Sequence, residues 1–137
     1  MPDAGGDSTL VQPLLTNVVA IASTKGAFAA LKLDGTVVTW GYSTQGGDSS
    51  LVQPLTNVVA IASTGYAFAA LKSNGSVVTW GASFGGGDSD SVQISLIGVT
   101  AIAANPYAFV AINGSNKAIA WGYGPLGGDS GFVNTNN

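Results

Sequence analysis

The sequence predicts an all-β repeat fold, and three observations point to it. Residues 18–24 return letter for letter as residues 58–64, and a drifted third copy fills residues 99–105. Trp40, Trp80 and Trp121, each followed by glycine, keep the same beat at spacings of 40 and 41 residues. Within each repeat, apolar and β-branched runs of five to seven residues are bounded by clusters of Gly, Asn, Asp and Ser, the pattern of short strands joined by turns.

In chain order, the first repeat predicts a short strand at Leu10-Val11-Gln12, a second at Val18–Ser23, a third at Ala27–Lys32 and a fourth over residues 36–41. The last two close as a hairpin at Leu33-Asp34-Gly35, matched by Ser73-Asn74-Gly75, because Asp-Gly and Asn-Gly tolerate the positive φ of tight turns. No helix is predicted. In the second strand Val19 and Ile21 face one way, while Val18, Ala20 and Ala22 face the other; in the third, Phe28 and Ala30 alternate with Ala27, Ala29 and Leu31. Both faces are apolar, so both are expected to be covered. Four-stranded antiparallel sheets of about 40 residues stacked face to face are the blades of a β-propeller, and the many alanines suit a crowded axis. About three blades are expected, in a single repeat domain over residues 1–137, with repeats at 5–45, 46–85 and 86–126 and a partial repeat at 127–137. Propellers close with about four to eight blades, so the ring is expected to be completed by oligomerisation or to belong to a larger propeller.

The string Ala-Leu-Lys-Leu-Asp-Gly-Thr-Val-Val-Thr-Trp-Gly at residues 30–41, preceded by Val-Val-Ala-Ile-Ala at 18–22, resembles the repeat of the regulator of chromosome condensation family. Residues 70–81 match the same pattern. The resemblance implies propeller blades. The sequence departs from the family pattern at Ala27, Ala67 and Ala108, where a histidine precedes the Ala-Leu pair, and a Gly-Gly-Asp-Ser box replaces Gly-Gln-Leu-Gly. The repeat is also shorter. With no arginine in the chain, the family's nucleotide-exchange and chromatin roles are not carried over.

Composition narrows function further. Only 8% of residues are charged, against roughly a quarter in an average soluble protein, and the net charge of −3 leaves no basic patch for nucleic acid. With no histidine and no cysteine, the Ser-His-Asp and Cys-His nucleophile systems and the zinc and haem sites are absent. No enzyme activity and no cofactor are expected. The longest apolar stretches fall well short of the roughly 18 residues of a membrane span, so no membrane partner is expected either. Residues 1–6 have no basic and no apolar region of a secretion signal, and the compartment stays open.

Where the repeats disagree, a specific surface is expected. Two loops vary, and their aromatics, Tyr42, Tyr66, Phe84, Tyr107 and Tyr123, are candidates for binding a glycan or a protein, weighed against drift or packing between blades. Asp7, Asp48, Asp88 and Asp129 suggest calcium, yet one carboxylate per repeat is thin for an ion wanting six to eight oxygens. An Asx turn is the better reading, and no metal site is expected. Trp40, Trp80 and Trp121 are expected to pack between blades. The fourth Gly-Gly-Asp-Ser box leads into Phe132 and Val133, which align with Leu10 and Val11. A surplus strand there predicts head-to-tail pairing of copies into a ring or a filament. The leading reading is a self-assembling scaffold, a homo-oligomer; the alternative is a module binding a carbohydrate or protein through the variable loops.

Overall fold

The computed structural model describes residues 8–90 and 92–123. Among the described residues, nine strands form three separate antiparallel sheets: β1 (Val18–Ser23), β2 (Ala27–Lys32) and β3 (Val37–Gly41); β4 (Val58–Ser63), β5 (Ala67–Lys72) and β6 (Val77–Gly81); β7 (Val99–Ala104), β8 (Ala108–Asn113) and β9 (Ala118–Gly122). Each sheet is a meander with its middle strand at the centre. The β2–β3 and β5–β6 turns place Gly35 and Gly75 at φ +85°, and Asp34 and Asn74 accept the backbone N–H of Thr36 and Ser76 at 3.0 Å. That is the predicted hairpin chemistry.

The blades have three strands rather than the expected four. Leu10 and Val11 lie in a turn, and Gln12–Leu14, Ser50–Val52 and Gln93–Ser95 are short 3-10 turns. Local hydrogen bonding outcompetes the ladder. Gln53 Oε1 accepts the Leu55 N–H at 2.8 Å, while its Nε2 donates to Ser49 Oγ at 3.0 Å. Pro13 and Pro54 have no N–H to give a neighbouring strand.

The sheets stack through unlike faces. In the first blade Ala27, Ala29, Leu31 and Val37 form the face that meets Phe68, Ala70 and Trp80 of the second, with Leu55 and Val58 sealing the contact. In the second blade Ala67, Ala69, Leu71 and Val77 meet Phe109, Ala111, Ile119 and Trp121 of the third, around Leu96 and Val99. Each blade therefore has a small-residue forward face and an aromatic rear face. Phe68 pairs with Trp80 across β5 and β6, and Phe109 with Trp121 across β8 and β9, with ring centroids 5.4 and 5.3 Å apart. Burying each such side chain contributes about 1.5–3 kcal/mol or more.

The expectation that both faces of every strand are covered fails for the first strand of each blade. Val19 and Ile21 are 56% and 62% exposed, and Val59 is 55% exposed. The register slips between Val18 and Ala20, and again at the same place in β4 and β7. These strands are sheet edges, neighbouring one another from blade to blade along one rim. An arc of three blades leaves that rim open.

Candidate functional site

Both variable loops lie at the same end of the blades, and the backbone binds them together. Tyr42, Ala82 and Tyr123 donate their N–H to the carbonyls of Gly26, Tyr66 and Tyr107 at 2.7, 2.9 and 3.0 Å. The β1–β2, β4–β5 and β7–β8 turns are held open by a side-chain oxygen: Thr64 Oγ1 accepts from Tyr66 and Ala67 at 3.1 and 3.0 Å, and Asn105 Oδ1 accepts from Tyr107 and Ala108 at 2.8 and 2.9 Å. Thr64 Oγ1 also donates to the Gly85 carbonyl at 2.7 Å, fastening the second loop. From blade to blade, Lys25 N–H donates to the Gly65 carbonyl and Gly65 N–H to the Pro106 carbonyl, both at 2.8 Å. The loops are thus set at fixed spacing before any ligand arrives.

Four of the five sequence-predicted aromatics meet in one strip. Tyr66 lies 4.7 Å from Phe84 and 6.0 Å from Tyr107, and Tyr107 lies 6.2 Å from Tyr123, centroid to centroid. Phe84 and Tyr123 are exposed, while Tyr66 and Tyr107 are half-buried. Tyr42 stands apart: its ring covers Gly26, where a Cβ would collide with it. The first blade thus takes its loop aromatic from position 42 over a glycine, whereas the second carries Tyr66 and answers it with Gly85, whose own Cβ would come within 2.8 Å of Tyr66 Cβ. In the first two blades a bulky group on one loop thus meets a gap on the other, whereas the third carries both Tyr107 and Tyr123.

Lys25 extends the strip and was absent from the residues singled out for binding. Its Nζ donates to the Tyr66 hydroxyl at 3.2 Å and lies 5.2 Å from the centre of that ring. The hydrogen bond to the Tyr66 hydroxyl, followed by electrostatic interaction with Tyr66 and Tyr107, raises the lysine above its usual 10.5. A positive charge therefore persists on the strip at every physiological pH. The signal lay in the repeat disagreement at Lys25, Gly65 and Pro106. Beside the strip runs a shallow groove of about 410 Å³, lined in part by Thr24, Lys25, Thr64, Gly65, Asn105 and Pro106.

The remaining predicted positions are placed as follows. Trp80 and Trp121 donate Nε1–H to the carbonyls of Gly46 and Gly86 in the glycine box that opens their own repeat, each at 3.1 Å. Trp40 is half-buried and stacks on Phe28 at 5.5 Å. Asp48 and Asp88 accept the N–H groups of Ser50 and Asp90 at 2.9 Å, as Asx turns do. Among the described residues no cluster of three or more metal-ligating side chains occurs. Leu10 is 94% exposed and Val11 half-buried. Asp7, Asp129, Phe132 and Val133 lie outside the described residues.

No protein-family model and no curated protein matches the sequence. Solved structures do. Yeast RCC1 (Prp20), with Kap60 bound, has a TM-score of 0.59 at 21% identity over 79% of this chain and 32% of that one. Human WBSCR16 gives 0.57 at 21% identity over 77% and 33%. The CRINKLY WD40 ectodomain of the Arabidopsis thaliana receptor kinase ACR4 gives 0.56 at 20% identity over 78% and 36%. The chain spans about a third of the length of each. The stacked sheets, the hairpin glycines and these neighbours agree on one architecture: the chain folds as a regulator of chromosome condensation-like array of β-propeller blades.

Proposed function

We propose that the chain is a non-enzymatic propeller module that recognises a protein partner through the strip formed by Lys25, Tyr66, Phe84, Tyr107 and Tyr123. One observation carries the reading. Aromatics from two blades and a lysine from a third converge on one surface at positions where the repeats differ, since Gly26 and Thr44 stand in the first blade where Tyr66, Tyr107 and Phe84 stand in the others. Tyrosine and phenylalanine rings offer large contact area at small entropic cost, and the lysine adds a cation already oriented. The yeast neighbour, crystallised with Kap60, supports protein recognition by such blades in general. The absence of histidine and cysteine supports a role without catalysis.

The test is selection of a random peptide display library on the chain and on the Tyr66→Ala/Tyr107→Ala variant. Enrichment of peptides by the chain, falling at least tenfold for the variant, supports the reading. Equal enrichment on both overturns it. A glycan array retaining sugars where no peptide is selected moves the strip to carbohydrate stacking.

A second reading is head-to-tail self-assembly into a scaffold. It is favoured by the first blade's rear face, where Phe28 and Trp40 are half-buried while Phe68, Phe109, Trp80 and Trp121 are buried. Light scattering of the chain and of a version ending at Ser130 tests it: a mass of two or more chains, lost on truncation, supports assembly through Phe132 and Val133, and a single-chain mass in both overturns it.

A further inference from the structure

The two ends of the arc are not equivalent. Four features join each blade to the next, and the third repeat has lost two of them and crowded the other two on its forward side. The Lys25 N–H and Gly65 N–H each reach a carbonyl of the following blade; the third repeat has Pro106 there, which has no N–H to give. The Gly35 and Gly75 carbonyls accept Val58 N–H and Val99 N–H of the following blade at 3.0 and 2.9 Å. At those glycines a Cβ would approach Asn57 N to 3.2 Å and Gly98 Cα to 2.8 Å; the third repeat has Asn116 there, at φ +63°, and so carries the Cβ that those positions crowd. Thr39 and Thr79 hold the following glycine box through the Gly47 and Gly87 carbonyls at 3.2 Å and through Ser49 and Ser89; the third repeat has Ala120, without a hydroxyl. Ala29 and Ala69, both fully buried, become Val110. The rear face of the first blade, in contrast, keeps the same four residues as the second: Phe28, Ala30, Val38 and Trp40 against Phe68, Ala70, Val78 and Trp80.

We propose that the third blade is a terminal cap and that the rear face of the first blade is a docking surface for a further blade of the same repeat. Its occupant has the forward face of the first two blades, alanine, alanine, leucine, valine and threonine, and a hairpin glycine carbonyl for the Val18 N–H. The proposal continues an interface that the chain already makes twice, and stacked-repeat proteins commonly end in atypical capping repeats. It is independent of the strip's ligand. It also disfavours the chain's own third blade as the occupant, since Pro106 and Asn116 would sit in that contact, and is therefore an alternative to head-to-tail assembly of copies through this face.

Two lengthened proteins test the proposal. One has residues 5–45 duplicated ahead of residue 5; the other has residues 46–85 appended after residue 126. Urea unfolding and amide exchange at Val18 are followed in both. The expected result is a higher urea midpoint and roughly tenfold or more slower Val18 exchange in the first protein, and no rise in midpoint in the second. Pro106→Gly/Asn116→Gly in the second protein is expected to restore a rise. Equal midpoint gains at both ends, or no gain and no slowing at Val18 in the first protein, overturn the proposal.

Discussion

Gly86 carries a blade-to-blade contact whose strength can be measured. It sits at φ +104°, a conformation that side chains rarely adopt, and a Cβ there would lie 2.5 Å from Phe109 Cε2. Phe109 is fully buried, so the ring has nowhere to retreat. Replacement by alanine adds backbone strain of about 1–3 kcal/mol to an overpacking cost of about 1–3 kcal/mol, giving a loss of about 2–6 kcal/mol. Gly98 provides the control: its φ is +65°, nothing lies within 4 Å of an added Cβ, and Gly98→Ala should cost only the left-handed strain of about 1–2 kcal/mol. Urea unfolding followed by tryptophan emission reads both, since Trp121 donates to the Gly86 carbonyl. Repeating Gly86→Ala in a Phe109→Leu background removes the colliding ring edge, and the two losses should then combine to about 1–3 kcal/mol less than their sum. A Gly86→Ala loss no larger than that of Gly98→Ala, or strictly additive losses with Phe109→Leu, would refute the contact as the cause.

Other outcomes follow from single groups. Thr79→Val takes the threonine hydroxyl from the Gly87 carbonyl and leaves Ser89 only its Gln93 contact, and should lower stability by about 1–3 kcal/mol in urea unfolding, more than Thr39→Val at its half-buried counterpart. Trp121→Phe strips the Gly86 carbonyl of its indole donor and thins a packed contact, for a loss of about 2–4 kcal/mol by the same assay. The Asp34 carboxyl is held below its usual 3.8 by the Thr36 hydroxyl and then by the Thr36 N–H. Its contribution is therefore present above pH 3.8 and fades as pH falls through the lowered value. Asp34→Asn, which copies Asn74, should flatten the acid side of the stability profile while leaving neutral stability nearly unchanged; an unchanged acid slope would count against it.

Much of this fold was legible in the sequence. The exact return of residues 18–24 at 58–64 fixed the repeat length, and Val18–Ser23 and Ala27–Lys32 were bounded by their turn residues to the residue. Asp34-Gly35 and Asn74-Gly75 announced the hairpins through their φ preference. The fourth strand misled because Leu10-Val11-Gln12 has strand propensity, whereas local hydrogen bonds win there: Ser8 Oγ donates to Gln12 Oε1, and in the later repeats Gln53 and Gln93 fold their amides back onto Ser49 and Ser89, four residues away. The exposed edge at Val19 and Ile21 was unreadable for a related reason, since alternation reports apolar faces but not whether a neighbouring blade arrives to cover them. At the candidate site, disagreement between repeats marked the right loops. The sequence could not tell that Tyr42 would fold over Gly26 while Tyr66 and Tyr107 joined, because that depends on which of two facing positions holds the gap.

The reach of the blade-bridging bonds has a consequence for how the molecule fails. Lys25 touches Tyr66 across 41 positions, and Trp80 and Trp121 reach back 34 and 35 to their glycine carbonyls. None of these links reaches further than the adjacent blade: the tryptophans close their own repeats on the glycine box that opens them, and Lys25, the Gly35 and Gly75 carbonyls and the packed faces join neighbours, so the energetics are those of a one-dimensional chain of nearest-neighbour couplings. Damage to the first or third blade forfeits one coupling and frays an end. Damage at Phe68 weakens the coupling to the first blade and damage at Leu71 the coupling to the third, whereas unfolding of the whole middle blade forfeits both and separates the survivors, so cooperativity of the whole array is set by its central repeat.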